Sequence, residues 1–149
     1  MGYLDLVDRT WPLLRRASGL HVLAYRATHG ALGHWIPGLG APMLLLDHVG
    51  AKSGKRRTTP LLYLADGDNL AIIASKGGHP RNPAWFHNLR ANPETTVQVG
   101  SERRAVRARL AAGEERKRLW RRAVEAYGSY ADYQARTERE IPVVVLEPR

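Results

Sequence analysis

The sequence predicts an α+β fold, mainly antiparallel β, built as a small barrel with helices at its periphery. Three observations carry this. Between residues 43 and 146 lie six short segments of strand character, several of them separated by tight-turn signals. The first three follow one another with no room for a crossover helix, which excludes a doubly wound parallel sheet. Helical periodicity is confined to the start of the chain, to a stretch around residue 85 and to residues 114–127. A chain of 149 residues is the size of one domain with one core, read here as 1–149 with residues 1–41 as a helical extension and loop.

Taken in order, Tyr3–Ala17 is amphipathic, with Leu4, Val7, Trp11 and Leu14 at spacings of three and four. Pro12 is expected to kink or split it, and Gly19–His29 to continue as a second short helix. Residues 30–42 hold Gly30, Gly33, Pro37, Gly38, Gly40 and Pro42 and read as a loop. Met43–Val49 is a buried strand candidate. Arg57–Leu64 and Leu70–Ser75 follow, the latter two joined by Asp66-Gly67-Asp68-Asn69, a hairpin turn. Asn82 is placed to cap a helix with Pro83 in its first position, and Asn92-Pro93 stops it. Thr95, Val97 and Val99 alternate with polar residues before a Gly100-Ser101 turn. Arg103–Leu110 then sets Arg104, Val106, Ala108 and Leu110 on one face, with Arg103, Ala105, Arg107 and Arg109 on the other. Glu114–Tyr127 is a helix whose apolar stripe is Leu119, Trp120, Ala123, Val124 and Tyr127, with Glu114 and Glu115 suited to its first turn. A tyrosine-rich segment leads to a last buried strand, Val143–Leu146.

Lys+Arg 23 against Asp+Glu 14 gives a net charge of +9, which points to an anionic partner: nucleic acid, acidic lipid headgroups or a polyanionic small molecule. After Arg103 the two signs interleave and read as salt-bridged surface. Only Lys52, Lys55, Arg56 and Arg57 form a compact cluster of one sign. Cysteine is absent, so disulfides, thiol nucleophiles and thiolate metal sites are excluded, in keeping with a cytoplasmic location. No stretch approaches the ~18 apolar residues of a spanning helix, and residues 1–16, with Asp5 and Asp8, carry no signal-peptide pattern. No metal site is expected: His79 and His87 are eight apart with no Asp or Glu beside them, no HExxH exists, and the six histidines read as loop and surface residues. No Gly-x-Ser-x-Gly elbow or flanking carboxylate pair supplies hydrolase chemistry.

The strongest local signal is Gly50-Ala51-Lys52-Ser53-Gly54-Lys55-Arg56-Arg57-Thr58-Thr59. Two glycines let the backbone turn towards an anion, while four cations and three hydroxyls can neutralise and hydrogen-bond phosphate or carboxylate oxygens. It is not a Walker A loop, because the glycine spacing is one residue short and Arg56 stands where Ser or Thr would hold magnesium. The plainer reading is a basic hairpin tip in solvent. Ala74-Ser75-Lys76-Gly77-Gly78, at a strand end, suits ligand contact through backbone N–H groups or is an ordinary glycine loop. Trp85 and Leu89 at i, i+4 read as core packing and Asn88 as polar surface or a ligand contact. Tyr127, Tyr130 and Tyr133 recur every three residues and form either an aromatic substrate wall or a partly buried capping segment.

These runs, together with Pro60-Leu61, Asn82-Pro83-Ala84-Trp85-Phe86-His87-Asn88-Leu89, Ala91-Asn92-Pro93, Tyr130-Ala131-Asp132-Tyr133-Gln134 and Arg139-Glu140-Ile141-Pro142-Val143, occur in an order that resembles the deazaflavin-dependent nitroreductase family from about Met43 to Pro148. The resemblance implies a split β-barrel of the FMN-binding type and an oxidoreductase that transfers a hydride from reduced coenzyme F420 to a quinone, nitroaromatic or activated-alkene acceptor. F420 is an 8-hydroxy-5-deazaflavin with a phosphate and an oligoglutamate tail, a polyanion that agrees with the local charge. By the same resemblance Lys52 and Arg57 hold the phosphate and tail region, with Ser53, Gly54, Thr59 and Pro60 beside them. Ser75, Lys76 and Gly77 meet the deazaflavin, and Pro83, Trp85 and Asn88 line the same groove. Tyr130 and Tyr133 cover the substrate, and Tyr133 is the candidate proton donor. Ala51 stands where many relatives carry a second basic residue, which Lys55 or Arg56 could replace, and Leu62 where some carry an aromatic one.

Two other classes stay open on the residues: a split-barrel oxidoreductase using FMN, and a basic nucleic-acid-binding module, which the interleaved glutamates and the lack of a DNA-reading motif disfavour. The N-terminal segment, with Arg9, Arg15 and Arg16 opposite its apolar face, either lies on an anionic bilayer or packs against the barrel. Related barrels often dimerise, so a homodimer is a further expectation.

Overall fold

The computed structural model describes residues 2–35 and 41–149, with Leu4 and Val7 described in backbone alone. The expected apolar contacts of Leu4 and Val7, and Pro37, Gly38 and Gly40 of the expected loop, lie outside the described residues.

Helix α1 runs unbroken from Tyr3 to Ala27. This corrects the expected break at Pro12 and the expected second helix. A proline inside a helix removes one N–H, and Gly19 costs about 1 kcal/mol relative to alanine; docking of the helix outweighs both. Its anchor is Tyr25, fully buried, whose hydroxyl donates to the Met43 carbonyl at 3.0 Å and accepts the Gly100 N–H at 2.7 Å. The turn that follows passes so close to the sheet that a Cβ on Gly30, at φ +88, would lie 2.6 Å from Gly100 Cα.

Seven strands follow: β1 (Met43–Val49), β2 (Arg56–Leu62), β3 (Leu64–Asp66), β4 (Asn69–Ile73), β5 (Glu94–Val99), β6 (Glu102–Leu110) and β7 (Val143–Pro148). Their order is β2-β1-β5-β6-β7-β4-β3, every pair is antiparallel, and the sheet curls as a split barrel that brings β2 towards β4. The single strand expected over Arg57–Leu64 is two. Tyr63 turns its ring inward, 8% exposed, and gives its N–H to the Pro42 carbonyl. The chain thereby changes partner, from β1 along β2 to β4 along β3. The expected hairpin is tight, with Asp66 paired to Asn69.

Helix α2 (Ala84–Ala91), α3 (Gly113–Ala126) and α4 (Ser129–Ala135) complete the fold. The tyrosine-rich segment is thus the short helix α4. Asn82 does not cap α2. Pro83 occupies that position, and Asn82 Oδ1 accepts from Arg139 Nη1 at 2.8 Å instead.

Strands β4 and β7 read as continuous apolar runs because both their faces are covered. Leu70, Ile72, Val144 and Leu146 enter the barrel interior with Leu44, Leu46, Trp85, Phe86, Val97 and Val106. Ala71, Ile73, Val143 and Val145 meet Leu119, Ala123, Tyr130 and Ile141 on the outer side. Leu110, on the same face as the buried Val106, is 59% exposed because that face ends in an open cleft against α2.

Candidate active site

The loop between β1 and β2 is a tight turn. Gly50 donates its N–H to the Lys55 carbonyl and Gly54 donates to the Gly50 carbonyl, both at 2.9 Å. Ser53 Oγ accepts the Lys55 N–H at 3.2 Å, and Gly54 sits at φ +69. The turn presents Lys52, Lys55, Arg56 and Arg57 to solvent. Among the described residues none of these four is in an ion pair, whereas the arginines of β6 and α3 largely are: Arg103 with Asp47, Arg109 with Glu115 and Glu147, Arg118 with Asp66. The turn is therefore a compact cluster of uncompensated charge. On β2, Thr59 and Pro60 follow, both half-buried.

Ser75 to His79 forms the second loop. Lys76, Gly77 and Gly78 take consecutive left-handed conformations at φ 45, 61 and 80, costly for the lysine and characteristic of ligand-binding turns. Arg139 clamps this loop from behind. Its Nε donates to the His79 carbonyl at 2.8 Å, Nη2 to the Ser75 carbonyl at 2.7 Å, and Nη1 to Asn82 and, at 3.2 Å, to the Ala74 carbonyl. Burial lowers the guanidinium's pKa. From the front, α1 lies on the loop. Tyr3 donates its hydroxyl to the Gly77 carbonyl, Lys76 Nζ stands 4.9 Å over the Trp11 ring, and Asp8 lies 3.5 Å from His79.

Helix α2 joins the two loops. Asn82 at its entrance is tied through Arg139 to the second, and Asn88 Oδ1 accepts the Ala51 N–H of the first at 2.9 Å. Pro83, Trp85 and Asn88, expected to line the groove, are all buried, Trp85 at 5% exposure within the barrel core and Asn88 at 7%. Asn88 thus holds the first loop through Ala51, while Trp85 packs in the barrel core.

Helix α4 packs on the second loop closely enough that a Cβ on Gly78 would lie 2.6 Å from the Tyr133 carbonyl oxygen. Tyr127, Tyr130 and Tyr133 pack edge to face at centroid distances of 5.1 to 6.3 Å. Tyr130 is 7% exposed, and burial raises its hydroxyl far above the ordinary range. Tyr133 is half-buried, with its hydroxyl 3.2 Å from that of Tyr127. Burial and that neighbour push it up to about 12.

Three residues of this site were not singled out in the sequence. His48, read among surface histidines, is 5% exposed, and its place two residues beyond Leu46 on the inward face of β1 was the available signal. Arg139 and Tyr25 act through carbonyls distant in sequence, which no local pattern announces.

Residues 17–148 match the model of the F420H(2)-dependent quinone reductase family. The chain is 48% identical over 133 residues to the F420H(2)-dependent quinone reductase Rv1261c of Mycobacterium tuberculosis, covering 87% of this chain and 89% of that one. Among solved structures it is similar to an F420-H2-dependent reductase, FDR-A, at 46% identity and a TM-score of 0.66 over 71% of this chain and 94% of that one. It is also similar to a domain-swapped dimer at 40% identity and a TM-score of 0.68, over 90% and 97%. With the split barrel, the cationic turn and the strained glycine loop in place, the chain belongs to the F420H(2)-dependent quinone reductase family, whose reductant is the reduced coenzyme F420.

Proposed function

We propose that the protein reduces a quinone, with the β1–β2 turn holding the anionic arm of the coenzyme and the Ser75–Gly77 loop and Tyr133 bordering the reaction. The observation that carries this is the set of four cations without an ion pair on a glycine-shaped turn, linked through α2 to a strained loop, while the arginines of β6 and α3 are largely paired. The donor set suits a phosphate and carboxylates: Lys52 and Arg57 supply charge, and Ser53 and Thr59 supply hydroxyls. When bound, reduced F420 supplies the hydride. Backbone N–H groups of Ser75, Lys76 and Gly77 orient the ring's polar edge, and the Arg139 clamp keeps that loop in place. Tyr133 Oη, neutral because its pKa is about 12, donates a proton to the oxygen of the reduced acceptor. The location is cytoplasmic.

The test is anaerobic mixing of the protein, reduced F420 and menadione, with the visible absorbance of oxidised F420 as readout, and a nitroaromatic as the second acceptor. Turnover with menadione, weakened at least tenfold in KM for the coenzyme by Lys52→Ala with Arg57→Ala, is the expected result. Absence of coenzyme binding, with FMN bound in its place, would reject it.

The outer face of α1 bears directly on a lipid-soluble acceptor. Leu6, Leu13, Leu20 and Leu23 are 52%, 68%, 70% and 67% exposed, although the inner face packs on the barrel through Tyr25. No helix among the described residues is long and apolar enough to cross a membrane. The exposed leucines with Arg15 and Arg16 instead suit an anionic bilayer surface. Leu13→Glu with Leu20→Glu is expected to abolish pelleting with anionic liposomes; equal pelleting rejects the contact. A homodimer is the second assembly proposed, checked by light scattering of the eluting protein.

A further inference from the structure

His48 closes the inward face of β1, in register opposite Arg57. Both its ring nitrogens are engaged. Nδ1 lies 2.9 Å from Asn88 Nδ2 and Nε2 lies 2.8 Å from Thr59 Oγ1. The direction of these bonds is set at the far end of the Asn88 amide, where Oδ1 accepts the Ala51 N–H at 2.9 Å. A backbone N–H only donates, so the amide nitrogen is the group facing His48, and it donates to Nδ1. Nδ1 is then bare, Nε2 carries the proton of the neutral ring, and Thr59 Oγ1 accepts it. The hydroxyl proton of Thr59 is left to donate elsewhere.

We propose that His48 is a positioning residue whose Nε2–H turns the Thr59 hydroxyl proton towards an oxyanion, a phosphate or carboxylate of the coenzyme arm, held by the β1–β2 turn. This rests on the reading of that turn as the coenzyme's anion site. Every donor in the chain points the same way, from Ala51 N–H through Asn88 and His48 to Thr59, so each bond polarises the next and the terminal hydroxyl becomes a better donor than an isolated threonine. The same bonds tie the turn, α2 and β2 into one unit before the ligand arrives, so less ordering remains to be done on binding. A protonated ring would break this, setting Nδ1–H against the Asn88 N–H and a second positive charge beside Arg57. Burial first, then Arg57, hold His48 at about 4, against the pull of Asp47.

Nitrogen-15 NMR of the cofactor-free protein reads the tautomer. The Nε2–H form is expected, and an Nδ1–H form overturns the proposal. Titration with oxidised F420 reads the consequence. His48→Asn keeps an acceptor for Asn88 but does not reach Thr59, and it should weaken binding about tenfold, as should Thr59→Val. His48→Gln restores an N–H near the Nε2 position and should stay within about threefold of wild type. The double variant His48→Asn with Thr59→Val should bind no more weakly than either single variant, since both cut one path. Additive losses, or His48→Asn binding like wild type, overturn the proposal. If His48→Asn does not fold, Thr59→Val and His48→Gln decide alone: wild-type affinity in the first, or a tenfold loss in the second, overturns it. If the wild type binds no F420, the coenzyme reading fails by itself. Inorganic phosphate then replaces it as probe: a saturable shift of the Thr59 amide resonance, lost in His48→Asn, sustains the relay, and no shift overturns it.

Discussion

Gly78 shows how much of this site rests on single atoms. It sits at φ +80 with the Tyr133 backbone against it, so Gly78→Ala combines left-handed strain with a backbone clash at 2.6 Å. A loss of about 2–3 kcal/mol in urea unfolding is expected, together with displacement of Tyr133; a loss under about 0.5 kcal/mol would contradict the packing. His48 sets the acid limit. In the folded chain it takes a proton only near pH 4, whereas the unfolded residue does so near 6.5. Between those values the unfolded state binds more protons, so stability falls as pH falls. His48 should contribute a fall of about 3 kcal/mol between pH 6.5 and pH 4, beside the loss from Asp66 and Glu115, whose arginine partners hold them below the ordinary carboxylate range. His48→Gln should flatten that slope, and parallel curves for the two proteins would exclude His48 as its source. Tyr133 works in the opposite range: with its hydroxyl at about 12, the rate should show no loss to phenol ionisation up to pH 10, and Tyr133→Phe should lower kcat.

At the scale of elements, α2 is the part that makes one site out of two loops, and Arg139 is its fastener. Four of its bonds end on Ser75, His79, Ala74 and Asn82, none of them a carboxylate. Arg139→Lys keeps the charge but loses the planar fork. Faster hydrogen exchange over residues 75–79, weaker coenzyme binding and a stability loss of about 2 kcal/mol are expected; unchanged exchange would show that the loop holds itself. The patterning of α3 was legible because it buries one side of a regular period, and β1 because Met43–Leu46 is an apolar run buried on both faces. Leu119, fully buried on α3's stripe, should cost about 2–5 kcal/mol as Leu119→Ala. Where patterning misled, a tertiary contact had prevailed. Pro12 remains inside α1 because the helix is docked, and Tyr63 divides an apparent strand because the barrel must turn its corner there.

Across the whole molecule, charge organises function by what is left unpaired. The net charge of +9 is spread over the chain, yet β6 and α3 largely neutralise their own arginines, and the β1–β2 turn does not. Coenzyme affinity should therefore fall with salt, and Lys52→Ala with Arg57→Ala should flatten that dependence, while Arg118→Ala should not. The order of residues along the chain determined the barrel and the cationic turn, because both are written in local spacing: glycines that permit the turn, cations adjacent in sequence, strands short enough to need hairpins. The coenzyme class came from the resemblance of the ordered motifs to a known family. The tertiary structure alone decided that Asn88 ties α2 to the first loop, that Arg139 reaches back some sixty residues to four acceptors, and that a histidine read as surface sits beneath Thr59. Burial and the direction of a hydrogen bond arise only when distant strands meet, and no window of neighbouring residues contains them.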